Sequence, residues 1–309
     1  MDICFHIPDF AHHLKLNLLL VNSIADAPEY FHDGLKISSI FGTFPGMVWN
    51  GGRFLGGSVD SNYVKKLLET FNSRNIPLRY TFTNPMIEEK HLSDSFCNLV
   101  MRLSDNSINE AIVMSPIMEK YIRENYPNYP ITSSTCKQIR GIDGVKEELK
   151  KDYKYVVLDY NFNNQFDLLE QIPEEERHRC EVLINACCIP NCPRRGEHYR
   201  TIGKEQIGEW EHKKDHFKKE PYKTTEFHCE FMNNTIYDIT GYSTYVSPQA
   251  IFEKYLPMGF NQFKIEGRTI NDIGLLETYI HYMVKPEHKD TVRLKMLNVL
   301  TSKYKFFSL

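Results

Sequence analysis

Residues 183–199 read LINACCIPNCPRRGEHY, and the fold follows from how that stretch begins and ends. Val182-Leu183-Ile184 is an apolar run that reads as a strand ending at Asn185. Cys187, Cys188 and Cys192 follow within six residues, and Pro190 and Pro193 keep a regular helix from starting, since each lacks an amide proton and has a fixed φ. Arg194, Arg195 and His198 come next, a cationic setting that favours thiolate, the metal-binding form. A strand running into a proline-stiffened, cysteine-rich loop places a site at the mouth of a barrel or sheet.

Working outward, the same unit recurs. Strands are expected at Lys36–Phe41, Leu78–Phe82, Glu110–Met114, Ile131–Thr135, Tyr155–Tyr160, Val182–Ile184, Tyr237–Ile239 and Asn261–Ile265. Between them lie helical patterns such as Ser61–Arg74, where Tyr63, Val64, Leu67, Leu68 and Phe71 share one face. The segment Leu14–Ile24 is open to reading as helix or opening strand. Eight strands alternating with helices predict parallel pairing with helical crossovers. No glycine-rich dinucleotide fingerprint supports an open sheet. The fold predicted is therefore a TIM-like (β/α)8 barrel, one domain over residues 1–309. A charged excursion over the rim, residues 203–224, is placed after its sixth strand.

Composition agrees with a globular enzyme or binding protein. Apolar residues make up 41% and charged residues 25% of 309, enough for a full core. A net charge of −3 gives no global attraction to nucleic acid or anionic membrane. Eight cysteines in a chain this long do not form a disulfide framework. No signal peptide or membrane span is read, so a cytoplasmic protein with reduced thiols is expected.

In such a barrel the chemistry stands at the C-terminal ends of the strands. The predicted exits carry Arg53, Asn84, Ser115, Cys136, Asp159 with Asn161, then Cys188 with Cys192, and finally Glu266 with Arg268, while the strand interiors are expected to be apolar. Adjacent residues on an extended segment face opposite ways, so Cys188 is assigned to the site and Cys187 to the packing. Cys229 supplies a third thiol from beyond the charged segment. Buried structural cysteine is the plain alternative for any of these thiols. Arginines at the rim suit carboxylates or phosphates, with ordinary surface charge as the alternative for each.

The blocks Leu183–Tyr199, Tyr245–Pro248 and Phe263–Arg268 resemble the U32 peptidase-like family, whose members are also described as collagenase-like proteases. The resemblance implies a TIM-like barrel with a cysteine-held iron–sulfur cluster. It also implies oxygen-independent hydroxylation of tRNA, ribosomal RNA or a quinone precursor, with prephenate as oxygen donor. Those relatives carry a cysteine pair seven apart, whereas Cys188 and Cys192 are four apart. A [4Fe–4S] cluster takes four thiolates; Cys188, Cys192 and Cys229 would give three, with Cys136, Cys187, Cys180 or no protein group as the fourth. Zinc on the same thiols plus His228 is the alternative metal. Arg53, His198, Glu266 and Arg268 are the expected catalytic residues. The substrate would be a small molecule or an RNA. A non-catalytic accessory barrel that binds a protein partner, as homo- or heterodimer, is the second reading. A peptidase is the third, for which no G-x-S-x-G elbow exists.

Overall fold

The computed structural model describes residues 2–215, 220–225, 227–231, 234–268 and 270–303. Eight parallel strands close into a barrel in sequence order: β1 Ile3–Pro8, β2 Leu35–Gly42, β3 Leu78–Phe82, β4 Glu110–Val113, β5 Ile131–Ser133, β6 Tyr155–Val157, β7 Cys180–Leu183 and β8 Gln262–Lys264. Closure comes from β1 pairing with both β2 and β8, for example Phe5 with Ile37 and with Phe263.

Two strand assignments need correction. The opening strand is Ile3–Pro8, not Lys36–Phe41, which is the second. Its outward residues Ile3, Phe5 and Ile7 are apolar, but His6 points into the barrel, so no apolar run announces it. Tyr237–Ile239 is not a strand but part of the helical turn Ile236–Ile239. Thr235 and Asp238 form a capping box there, each side chain satisfying a backbone amide of the other's end. Leu14–Asp26 is helical. The Cys-rich loop therefore leaves the seventh strand.

The crossover helices cover the barrel by ordinary means. Asp60 caps the helix Ser61–Asn72 by accepting from the Tyr63 amide at 2.7 Å. Val64, Leu67, Leu68 and Phe71 of that helix are buried. Tyr80 and Phe82 of β3 leave the barrel towards this shell, their rings stacked at 5.5 Å.

The charged excursion is a helix over most of its length, Arg195–Lys214, hereafter the mouth helix. Asn84 donates to its Gly203 carbonyl, and Gln206 accepts from Asn50 and from the Leu55 amide. Residues 216–219 of the excursion lie outside the described residues.

The barrel interior departs most from expectation. A typical barrel fills its layers with Val, Ile and Leu. Here Arg79 of β3 donates to Glu181 of β7 at 2.6 Å and to Thr132 of β5 at 2.8 Å, and stands 3.2 Å from Glu110 of β4. Lys154 reaches Glu110 at 2.5 Å, and Lys264 of β8 reaches Glu181 at 3.1 Å. His6 bonds Ser39 at 2.6 Å and Gln262 at 3.1 Å. Burial first, then Arg79 and Lys264, keep His6 neutral, lowering it to about 3 against the attraction of Glu181. An ionic layer thus replaces the apolar one, because the inward positions of five strands carry charge or imidazole.

Candidate functional site

Above the ionic layer the barrel opens into a cavity of about 120 Å³. That is several times the roughly 10–15 Å³ one water requires. Its floor and lower wall are the next inward residues of the strands: Phe41, Thr81, Ile112, Val157, Leu183 and Lys264. The rim adds Arg53, Cys136, Cys187, Cys188, Glu266 and Arg268. The mouth helix contributes Arg195, His198 and Tyr199, and the later segment Cys229 and Phe231.

Most residues expected at the site therefore do meet in one place. Arg53 forms a close ion pair with Glu266, and Glu266 also accepts from the Cys187 amide at 3.2 Å. The Glu266 amide donates to Asn185 at 2.7 Å, which fixes the β8 exit against the β7 exit. Arg268 is held differently. Its guanidinium donates to the Asn50 side chain at 3.0 Å, to Thr81 at 2.9 Å and to the Gly51 carbonyl at 2.6 Å. All three are neutral oxygens, and among the described residues no carboxylate lies within ion-pair distance. Burial, and then the Arg53 charge, pull Arg268 down to about 10.

His198 stacks flat on Phe227, centroids 4.4 Å apart, and burial followed by Arg53 lowers it to about 4. It is a neutral imidazole near pH 7.

Three exit residues serve as struts. Asn84 joins the Val48 carbonyl to the mouth helix. Asp159 takes Arg195 at 2.6 Å, and Asn161 accepts from the Asn191 amide. Ser115 occupies the N-cap position of the helix Pro116–Asn125 without a side-chain capping bond and does not line the cavity. Sequence reading missed Lys264, Tyr160 and Tyr199. Lys264 had a signal, since it alternates with Gln262 and Glu266 on one face of the last strand.

The thiols require a correction. Cationic neighbours were expected to favour thiolate, but Arg195 is occupied by Asp159, Thr135 and Tyr199. Burial wins instead and pushes Cys188 up to about 12; a hydrogen bond with Tyr160 opposes the rise, and the touching Cys192 thiol adds to it. Cys187 is buried yet still borders the cavity, while Cys192 sits behind Cys188, outside the lining.

Cys188 and Cys192 together make half of a metal site. Among the described residues no three His, Cys, Asp or Glu side chains converge as ligands. Cys229 reaches the same cavity without joining the pair.

No protein-family model matches the chain, and no curated protein matches it in sequence. Among solved structures, the U32 peptidase Mk0906 superimposes with a TM-score of 0.50, over 88% of this chain and 93% of that one, at 10% identity. Among the described residues no helix is long and apolar enough to cross a membrane. The chain thus shares its barrel fold with that U32 peptidase.

Proposed function

We propose that the chain is a barrel enzyme that binds a small anionic substrate in the mouth cavity, with Arg268 as the anion-binding residue. One observation carries this reading: a part-buried guanidinium borders the cavity, and among the described residues its hydrogen-bond acceptors are all neutral oxygens. Withdrawing a charge from water is costly unless it is paired, so a guanidinium bonded only to neutral oxygens favours a ligand of opposite sign. A planar guanidinium prefers carboxylate or phosphate, which it grips with two parallel bonds. Glu266, tied to Arg53, and neutral His198 line the same cavity as candidate proton-transfer groups.

The test is calorimetric titration of pyruvate and of inorganic phosphate. Arg268→Lys keeps the charge but loses the two-pronged grip. Its affinity is expected to fall about tenfold, roughly 1.4 kcal/mol. The same change removes bonds to Asn50 and Gly51, so affinity rather than melting temperature is the deciding readout. Equal affinity in both proteins would refute the reading.

The Cys188–His198 peptidase reading gains nothing from the geometry. The Cys188 thiol pairs with Tyr160 and Cys192, and His198 faces Phe227, so no thiolate–imidazolium pair is set up.

The iron–sulfur cluster, with oxygen-independent hydroxylation, stays a separate proposal resting on the motif resemblance, and no step is derived through it. Cys188, Cys192 and Cys229 would be its ligands. Anaerobic purification with iron, zinc and sulfide analysis is expected to give iron and sulfide, lost in Cys188→Ser, Cys192→Ser and Cys229→Ser and kept in Cys97→Ser. Stoichiometric zinc without sulfide would favour a structural metal. Full iron in the Cys229 variant would remove that residue from the ligand set.

A further inference from the structure

Lys264 lies where the ionic layer meets the cavity. Its ammonium is 3.1 Å from Glu181 and 4.0 Å from the centre of the Phe41 ring, and it lines the same cavity as Arg268. The layer beneath does not need its charge. Arg79 and Lys154 supply two cations against the two carboxylates Glu110 and Glu181, a balance of zero. His6, also facing this layer, is neutral. A protonated Lys264 is therefore a surplus charge at the bottom of a buried cavity, with the Arg268 cation above it.

We propose that Lys264 is a carbonyl-reactive amine that forms an imine with a small oxo acid whose carboxylate rests on Arg268. The amine lone pair attacks the carbonyl carbon and a C–N bond forms. The carbonyl oxygen then leaves as water, carrying the two amine hydrogens, and neither oxidant nor reductant is consumed. The titratable groups facing the amine are Glu181 on β7, Arg79 on β3, Arg268 beyond β8 and the neutral His6 on β1. Burial outweighs the attraction of Glu181, Arg79 and Arg268 add to its effect, and together they bring the amine down to about 8. A useful fraction is then unprotonated near neutral pH, as lysine nucleophiles require.

The proposal rests on the anion site at Arg268, and its test separates the two. The full chain is incubated with pyruvate or 2-oxoglutarate and sodium cyanoborohydride, which reduces an imine to a stable secondary amine. Intact mass and peptide mapping then locate the adduct. The expected result is one adduct per chain, on Lys264, at a rate that climbs as pH rises through about 8 and levels off above it. Labelling is expected to fall to background in Lys264→Arg. Because the map of the unmodified sequence already identifies the site, misfolding of that variant would not spare the proposal. Adducts scattered over surface lysines, at a rate still rising towards pH 10, overturn the imine. Saturable binding of pyruvate, weakened in Arg268→Lys but without a Lys264 adduct, overturns the imine and leaves the anion site standing. Neither binding nor labelling overturns both.

Discussion

Replacing Glu181 by glutamine is expected to lower the unfolding free energy by about 3–5 kcal/mol, the usual cost of removing one partner from a buried ion pair. Glu181 is the hub of the barrel's ionic layer, with Arg79 at 2.6 Å, Lys264 at 3.1 Å and His6 at 3.5 Å. Arg79 keeps Glu110 and Thr132, so the damage concentrates on Lys264, which loses its carboxylate. Urea unfolding at neutral pH measures the loss. Its pH dependence identifies the cause. Although burial works against it, Arg79 and then Lys264 hold the Glu181 carboxyl far below the usual carboxylate range. A carboxyl with a depressed folded pKa contributes stability that is complete above its unfolded value and is lost as pH falls. The gap between wild type and Glu181→Gln should therefore be full at pH 7 and shrink on acidification below about pH 4.5. A difference under 1 kcal/mol, or one independent of pH, would mean that the layer is not held by this charge.

Gly51→Ala should abolish anion binding while leaving the barrel folded. A Cβ at Gly51 would lie 2.3 Å from the Thr83 carbonyl carbon and oxygen and 2.5 Å from the Asn84 nitrogen. All three are backbone atoms at the β3 exit, so the 49–53 loop must lift away. That loop holds the arginines: Gly51 and Asn50 accept from Arg268, and the Gly52 carbonyl accepts from Arg53 at 2.7 Å. The overpacking costs about 1–3 kcal/mol. Displacing the anchor of Arg268 should remove measurable pyruvate binding. Gly141→Ala is the control, because nothing lies within 4 Å of its added methyl, and it should change stability by less than about 0.5 kcal/mol. Gly51→Ala with wild-type affinity and melting temperature would show that the loop yields without moving Arg268.

Most of the barrel was legible because a strand buried on its outer face by helices needs apolar residues there. Leu78, Tyr80 and Phe82, or Ala111 and Val113, announce themselves. The ionic layer was not legible, since each charge stands alone among apolar neighbours and meets its partner only through closure. Arg79 and Glu181 are 102 residues apart. Tyr237–Ile239 misled because a short apolar run fits strand or helix, and the Thr235–Asp238 box was the discriminating signal. At the rim, the motif blocks marked residues that do border one cavity, including Cys188, Glu266 and Arg268, and the strand-exit reading added Arg53. Their roles depended on pairings that spacing does not encode. Glu266 pairs with Arg53, and among the described residues no carboxylate bonds Arg268, although Arg268 is the closer residue in sequence.

The mouth helix has a further consequence for what can be processed. It is bolted at Gly203 to Asn84, at Gln206 to Asn50 and Leu55, and at Glu209 to the Gly57 amide, while its first turns face the cavity. A helix fastened at that many points acts as a fixed visor over one side of the aperture, so admission is decided by shape before chemistry begins. On the proposed reading a small acid would pass whole. A folded RNA or protein cannot seat its surface against Lys264 and has to offer a projecting tip, such as a nucleotide swung out of its stack. On that reading the visor would sort ligands by how far they can protrude.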